Sequence, residues 1–167
     1  MIEKIERYYL EINSIKDLKT KAVPSESFSI KEEDKNNFAL NKFFYKQIGK
    51  KHEWIDRLIW QDKNWIDYVS NENLKTLILR KENDIVGYFE LLFDNYDCEI
   101  AYLGILEEYI GKGYGGFLLS EAIRLGFANS RRIWVHTCSL DHPNALENYK
   151  SRGMKIFKTE ILKRKAI

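Results

Sequence analysis

The segment 98–123, CEIAYLGILEEYIGKGYGGFLLSEAI, decides which fold the chain is expected to adopt. Its first part, Cys98–Leu106, is rich in branched and aromatic side chains and predicts a β-strand. A glycine cluster follows, and the residues after it carry apolar side chains at helical spacing, which predicts a helix to about Asn129. Four of the chain's nine glycines belong to this cluster: Gly111, Gly113, Gly115 and Gly116. The segment therefore predicts a strand, a glycine loop and a helix in direct succession.

A glycine loop that opens a helix is suited to bind a phosphate group. The first N–H groups of a helix have no partners inside it, and the helix dipole attracts an anion to that end. Glycine allows close approach of the backbone to the anion, and Lys112 adds a positive charge. The alternative interpretation is a glycine-rich helix start that binds nothing.

The string GKGYGG also fits the G-x-G-x-x-G pattern of dinucleotide-binding folds. In those folds the first glycine directly follows the strand, and an acidic residue about 20 positions later binds the ribose. Here residues 107–110 separate the strand from Gly111, and Asp141 comes too late in the chain. A dinucleotide site is therefore the less favoured alternative.

The glycine segment resembles the central motif of the GNAT superfamily of N-acetyltransferases, Gln/Arg-x-x-Gly-x-Gly/Ala. Gly113 and Gly115 match the two small positions, whereas Ile110 occupies the position of the leading Gln or Arg. That departure removes a side chain from the loop, although the backbone amides that hold a pyrophosphate need none.

A second signature of the same family, Asn-x-x-x-x-Tyr-x-x-x-Gly-Phe, is matched by NALENYKSRGM. The matching residues are Asn144, Tyr149 and Gly153, with Met154 in place of the phenylalanine. Both motifs occur in the family's order and spacing over 98–154, so the resemblance rests on two independent patterns.

The resemblance implies a fold for the whole chain. We expect one acetyltransferase domain over 1–167, of α+β class, with a mixed and mostly antiparallel central sheet flanked by helices. The motif strand and the next strand, Arg132–Cys138, are expected to splay apart, with the pantetheine arm of acetyl-CoA in the gap. Gly104 is expected to carry a β-bulge in the motif strand.

The resemblance also implies which residues bind coenzyme A. The expected set comprises the motif strand, the glycine loop and the start of the second motif. Its members are Leu103, Gly104, Ile105, Leu106, Ile110, Gly111, Lys112, Gly113, Tyr114, Gly115, Gly116, Asn144 and Tyr149.

Transfer of an acetyl group to an amine needs a base for the ammonium and an acid for the departing thiolate. By its motif position Tyr149 is the expected acid, since a phenol has a higher pKa than a thiol. Glu99 is the expected base, with Glu90, His136 or a chain of water molecules as alternatives. Asp141 or His142 is expected to cap the helix of the second motif.

The acceptor is expected to be a small amine or an amino-acid-like molecule, because aromatic residues and a few charges cluster in the region 43–60. Arg57 is suited to a bidentate contact with a carboxylate. The full expected set is Tyr45, Trp54, Arg57, Glu90 and His136. A non-catalytic module that binds or senses acyl-CoA is the alternative function.

Composition excludes several classes of partner. The net charge of +2 gives no broad affinity for nucleic acid, and no stretch approaches the roughly 20 apolar residues of a membrane span. Two cysteines make no disulfide framework, and the N-terminus MIEKIERYYLEI carries charges where a signal peptide needs an apolar run. The spacing in HTCSLDH fits no common zinc site, so no metal is expected. The chain is therefore expected to be cytoplasmic. The family resemblance adds a homodimer as an alternative to a monomer, because dimers are frequent in that family.

Periodicity predicts the remaining elements. Asp62 is expected to be the N-cap of the third predicted helix. In the N-terminal half, the predicted elements are a strand at 6–12, a loop over 14–34 with a short strand near 27–31, and helices at 36–48, 52–60 and 62–70. In the C-terminal half, they are a hairpin of 74–80 with 85–93, a short helix ending at Gly153 and a last strand from Met154.

Overall fold

Strands in the described part of the chain, residues 1–24 and 27–165 of a computed structural model, form one mixed sheet. They are β1 (Ile2–Ile12), β2 (Phe28–Glu32), β3 (Leu74–Lys81), β4 (Asp84–Asp94), β5 (Asp97–Ile105), β6 (Arg132–Cys138) and β7 (Lys155–Lys165). Their order across the sheet is β2-β3-β4-β5-β6-β1-β7. β5 and β6 run parallel, and every other neighbouring pair is antiparallel. The expected α+β fold with a mostly antiparallel sheet is confirmed.

Helices cover both faces of the sheet. They are α1 (Phe38–Gly49), α2 (Asp62–Val69), α3 (Tyr114–Phe127) and α4 (Ala145–Ser151). The predicted loop before β2 includes positions 25 and 26, which lie outside the described residues, as do positions 166 and 167.

The central strands are buried on both faces, which explains their nearly continuous apolar sequence. On one face, Leu77 and Phe89 pack with α3 in a large cluster. On the other face, Phe44 of α1 stacks on Tyr88 of β4, with ring centroids 4.7 Å apart and planes at 6°. Burial of each such side chain contributes about 2 kcal/mol to the free energy of unfolding. The two layers fix β4 and β5 as a rigid wall.

In the other half of the sheet, β6-β1-β7, successive side chains point alternately to the buried core and to the opposite face. Leu10 and Val135 face the cluster that contains α3. Tyr9 and His136 are opposite each other in register on the other face of this arm, with ring centroids 5.7 Å apart. The N-terminal strand thus lies between the two strands that follow α3 in sequence.

The predicted helix over 52–60 is wrong, because this segment forms a series of turns. Glu53 adopts a left-handed conformation with φ 54°, which ends helical geometry. The backbone N–H of Arg57 donates to the hydroxyl of Tyr45 at 2.9 Å, and the Arg57 side chain is buried. These tertiary contacts override the helical spacing of the apolar residues.

The predicted N-cap of α2 is also wrong by one residue. Asp62 is the first helical residue, and Gln61 is the N-cap. The Oδ1 atom of Asn64 accepts the N–H of Gln61 at 2.9 Å, so the amide side chain in the first turn satisfies this end of the helix.

Candidate active site

The candidate active site is a cleft between β5 and β6. The two strands pair in parallel at residues 97–99 and 132–134, and beyond these positions they diverge. The gap widens into a cleft of about 880 Å³, with Leu103 and Ile105 on one wall and His136 on the other. The splay that the sequence predicts is therefore present.

The glycine loop forms one end of the cleft. Gly111 and Gly113 have φ of 81° and 90°, in the left-handed region that favours glycine. Gly113 is the N-cap of α3, and among the described residues no side chain accepts a hydrogen bond from the first turn. Gly115 and Gly116 in that turn line the cleft. The uncapped start of the helix therefore presents N–H groups and the positive end of the helix dipole to the cleft.

Two cations that sequence reasoning missed lie against the same turn. An ideal Cβ on Gly116 would be 2.4 Å from Nη1 of Arg152 and 2.5 Å from Cδ of Lys21. Lys21 is held there because its backbone N–H donates to Oγ of Ser120 at 2.9 Å. Nε of Arg152 is buried and has no hydrogen-bond partner among the residues that the structure describes. The position of Arg152, three residues after Tyr149 in the second motif, could have indicated its place near the cleft. Nothing in the sequence indicates the place of Lys21.

Most residues expected to bind coenzyme A line this cleft. They are Leu103, Ile105, Ile110, Gly111, Gly115, Gly116, Asn144 and Tyr149. The remaining members of the expected set do not line it: Gly104, Leu106, Lys112, Gly113 and Tyr114. Tyr114, for example, is buried in the core with its ring centroid 4.9 Å from that of Phe28.

The β-bulge of β5 lies at Ala101, not at Gly104 as predicted. The pairing with β4 passes from Tyr102 directly to Ile100, so Ala101 is the extra residue. Gly104 pairs regularly and is needed for a different reason. A Cβ there would lie 2.8 Å from Cγ2 of Ile48, because α1 packs directly on the strand at this point.

Tyr149 lies in the cleft wall on α4 with only 8% of its surface exposed. Burial, reinforced by the negative charge of Asp141, raises the pKa of its phenol above the ordinary value. Its hydroxyl makes no hydrogen bond to any residue that the structure describes. The phenol is therefore protonated at neutral pH and its proton is not committed to another side chain.

Asp141 organises the end of the cleft opposite the glycine loop. Its Oδ1 accepts the indole N–H of Trp54 at 3.1 Å, and its Oδ2 accepts the hydroxyl of Thr137. The predicted cap of α4 by Asp141 or His142 is wrong: Asn144 is the N-cap and makes no side-chain cap hydrogen bond, although Nδ1 of His142 accepts its backbone N–H at 3.1 Å. Asp141 joins the end of β6 to the 50–61 segment.

The 50–61 segment crosses this end of the cleft and is tied on several sides. Lys51 forms an ion pair with Glu107, and Glu53 forms one with Arg164 of β7. The ring of Trp54 lies 4.8 Å from that of Tyr102 on β5. The segment thus closes the cleft with aromatic surface, and the expected residues Trp54 and His136 both line it.

The other expected acceptor residues, Tyr45, Arg57 and Glu90, do not line the cleft. Glu90 is fully buried, and its Oε1 accepts from Nη1 of Arg57 at 3.2 Å. The guanidinium also lies 4.0 Å from the ring centroid of Tyr68. Burial is the largest single cause and lowers the pKa of Arg57, but the charge of Glu90 and the interactions with surrounding tyrosines together outweigh it and raise that pKa. Arg57 thus forms a buried ion pair that anchors the 50–61 segment. It is not available for the predicted contact with a substrate carboxylate.

Glu99 lies at the closed end of the splay, opposite Trp134 in the last parallel pair. It is half-buried and is not part of the cleft lining. Burial raises the pKa of its carboxyl group; the positive charge of Arg57 opposes this shift and the negative charge of Glu90 adds to it.

Metal binding and membrane spanning can each be checked on the described residues. No group of three His, Cys, Asp or Glu side chains in the described ranges is arranged to hold a metal ion. None of the helices that the structure describes combines the length and apolar character needed to cross a bilayer.

Comparison with solved structures shows the same fold in other proteins. A GCN5-related N-acetyltransferase from Sphaerobacter thermophilus aligns with 96% of this chain and 51% of its own, at a TM-score of 0.74 and 15% identity. Its counterpart from Kribbella flavida aligns over 95% of this chain and 56% of its own, with a TM-score of 0.66 and 14% identity. The chain thus spans about half the length of these two structures.

A smaller neighbour is an aminoglycoside acetyltransferase from an uncultured soil metagenomic sample, solved in complex with sisomicin. It aligns with 75% of this chain and 87% of its own, at a TM-score of 0.62 and 16% identity. No curated protein sequence matches the chain. The sequence model of the Acetyltransferase (GNAT) family matches residues 32–154, which include both glycine-loop and tyrosine motifs. The chain therefore belongs to the GNAT acetyltransferase family.

Proposed function

We propose that the protein is an acetyl-CoA-dependent N-acetyltransferase that transfers an acetyl group directly to the primary amine of a small molecule. One observation carries this proposal. The gap between β5 and β6 ends at the uncapped, glycine-rich start of α3, and Tyr149 lies in its wall with an uncommitted hydroxyl.

The residues around the cleft fit coenzyme A. The first-turn N–H groups of α3, together with Lys21 and Arg152, are suited to a pyrophosphate. Beyond Glu99, the edge of β5 that faces β6 pairs with no strand in the described part of the chain, so its backbone groups can pair with the amides of a pantetheine arm. Acetyl-CoA, when bound, supplies the activated thioester.

Arg152 gives a direct test of this binding mode. We expect Arg152→Gln to weaken acetyl-CoA binding by about 10-fold or more, since a lost charge-assisted hydrogen bond costs roughly 1.5–3 kcal/mol. Titration calorimetry measures the change. Arg124→Gln is the matched control, because Arg124 is exposed in the last turn of α3 and pairs with Glu121 outside the cleft. An unchanged dissociation constant for Arg152→Gln would contradict the assignment.

Tyr149 is proposed to protonate the departing thiolate. Its raised pKa means that the phenol carries its proton at neutral pH, and this proton can pass to the sulfur as the bond between sulfur and the acetyl carbon breaks. Cys138 also lines the cleft, but burial raises the pKa of its thiol, so its reactive thiolate form is disfavoured. This favours direct transfer over a route through an acylated cysteine.

Glu99 is proposed as the base that takes the ammonium proton, through water because it does not line the cleft. Its raised pKa means that the basic carboxylate is lost as pH falls through a value above that of an ordinary glutamate. We therefore expect kcat to fall at acidic pH. Glu99→Gln is expected to lower the maximum kcat about 100-fold and to abolish this decrease of kcat at acidic pH. His136→Gln is the comparison. If Glu99→Gln keeps the acidic limb and His136→Gln loses it, His136 is the base.

The activity itself is tested by amine-dependent release of free CoA from acetyl-CoA, followed with a thiol reagent. We expect release to require both the protein and a primary amine. The amine panel includes sisomicin, which one structural neighbour binds. Tight acetyl-CoA binding without turnover of any amine would favour a non-catalytic acyl-CoA-binding module instead.

A further inference from the structure

Arg7 places a guanidinium in the cleft, away from the glycine loop. It belongs to β1, where it is opposite Cys138 of β6 and Glu160 of β7 in register. Its side chain lines the cleft together with His136 and Cys138. β1 lies next to β6, so Arg7 comes from the strand that flanks the far wall of the splay.

Arg7 forms no ion pair with any residue that the structure describes. Its Nε is buried without a hydrogen bond, and no described carboxylate lies within 4.0 Å of it. Glu160, the acidic residue opposite it, instead pairs with Lys158 at 2.7 Å; this hydrogen bond is the main cause that lowers the pKa of Glu160, and the more distant charge of Arg7 is a smaller one. By contrast, Arg57, Arg132 and Arg164 each contact a carboxylate. A half-buried guanidinium without an anion is unfavourable, and an anionic ligand group would relieve that cost.

A negative charge lies on the other side of the same space. Asp56 of the 50–61 segment lines the cleft, is exposed, and forms no ion pair with any other described residue. Both Arg7 and Asp56 are close enough to His136 to act on it: burial is the largest cause that lowers the pKa of His136, Arg7 lowers it further, and Asp141, Asp56 and Glu160 raise it. Arg7 and Asp56 thus bring opposite charges to the cleft, and neither forms an ion pair with another described residue.

We infer that the acceptor carries a carboxylate as well as its amine, and that Arg7 binds this carboxylate. This inference rests on the proposed acetyl transfer and names the class of its acceptor. A planar guanidinium matches a carboxylate through two parallel hydrogen bonds, and Asp56 offers the opposite charge to an ammonium. The chemistry fits an amino acid or a similar amino-carboxylate. It disfavours a polyamine or an aminoglycoside, whose positive charges Arg7 repels.

The test compares amino acids with the amines that remain after decarboxylation. Phenylalanine is paired with phenethylamine, lysine with cadaverine and tyrosine with tyramine, and kcat/KM is measured for each as amine-dependent CoA release. For the pairs that are turned over, we expect the carboxylated member to be preferred by about 10- to 100-fold, which corresponds to a charge-assisted bidentate contact. Arg7→Gln is expected to abolish that preference, mainly through KM, and Arg7→Lys to restore part of it.

Arg131→Gln is the matched control, since Arg131 is exposed over the ring of Tyr96 and does not line the cleft. Equal kcat/KM within every pair, or a preference that survives Arg7→Gln, overturns the inference while the acetyltransferase function stands. If acetyl-CoA binds and sisomicin or cadaverine is acetylated but no carboxylated amine is, the inference is likewise overturned. Absence of acetyl-CoA binding instead removes the proposed function, and the inference with it.

Discussion

Replacing Tyr149 by phenylalanine is expected to lower kcat about 100-fold and to leave acetyl-CoA affinity within about threefold. The phenol is buried in the cleft wall and its hydroxyl has no partner among the described residues, so removing it leaves no stranded hydrogen bond. The ring, which packs in the core cluster, is kept. The loss should therefore fall on the step in which the thiolate leaves, and not on folding or cofactor binding.

The control is Tyr96→Phe, because Tyr96 is exposed in the β4–β5 turn outside the cleft. Both variants are compared with the parent protein by steady-state kinetics and by calorimetric titration with acetyl-CoA. A Tyr149→Phe enzyme with unchanged kcat would show that another group, or water, supplies the proton. A thioester whose leaving group is already stable as an anion should be least affected by the substitution, because it needs no acid.

Replacing Glu90 by glutamine is expected to lower the free energy of unfolding by about 3–5 kcal/mol. Glu90 is fully buried, and its carboxylate accepts from Arg57, from the hydroxyl of Tyr68 at 2.9 Å and from Nδ2 of Asn41 at 2.9 Å. Loss of its charge leaves the buried guanidinium of Arg57 without an anion. The measurement is chemical denaturation followed by circular dichroism.

Two further variants separate this explanation from a general loss of packing. Arg57→Met added to Glu90→Gln should recover most of the stability, because it removes the uncompensated charge. Asp62→Ala breaks the exposed pair with Lys42 and should cost less than about 1 kcal/mol. A Glu90→Gln protein as stable as the parent would mean that solvent reaches Arg57 and that the pair does not anchor the 50–61 segment.

The core of the fold was predictable from the sequence because local patterns and the long-range structure agree there. The glycine cluster, strand and helix of 98–123 occur in the predicted succession, and β3 and β4 form the predicted hairpin. The splay of β5 and β6 followed from the family resemblance rather than from periodicity. Once the resemblance was established, most of the cleft lining on β5 and the glycine loop followed from it.

The acceptor end was not predictable in the same way, since tertiary contacts determine it. The 52–60 segment has helical spacing, but burial of Arg57 beside Glu90 and the left-handed Glu53 hold it as turns across the cleft. The sequence does not show that Arg57 pairs with Glu90 on a distant strand, so it predicts an Arg57 side chain that is free to bind a substrate. Arg7 showed no signal in the sequence, because its place in the cleft depends on β1 lying between β6 and β7.

Lys21 is a similar case at the other end of the cleft. It lies about 90 residues before the glycine loop in the chain, yet its position against Gly116 puts a positive charge near the anion site. Ile110 leaves the family's usual Gln/Arg position apolar. Lys21 and Arg152, which lie outside the first motif, supply positive charge to the site where Ile110 supplies none.

The central claim is that the gap between β5 and β6 and the start of α3 bind acetyl-CoA. The most direct test is a calorimetric titration of the purified protein with acetyl-CoA, with CoA and NAD as comparison ligands. We expect saturable binding of acetyl-CoA and CoA, weakened by Arg152→Gln, and no heat of binding with NAD. Binding of NAD without binding of acetyl-CoA would contradict the account and assign the glycine loop to a dinucleotide.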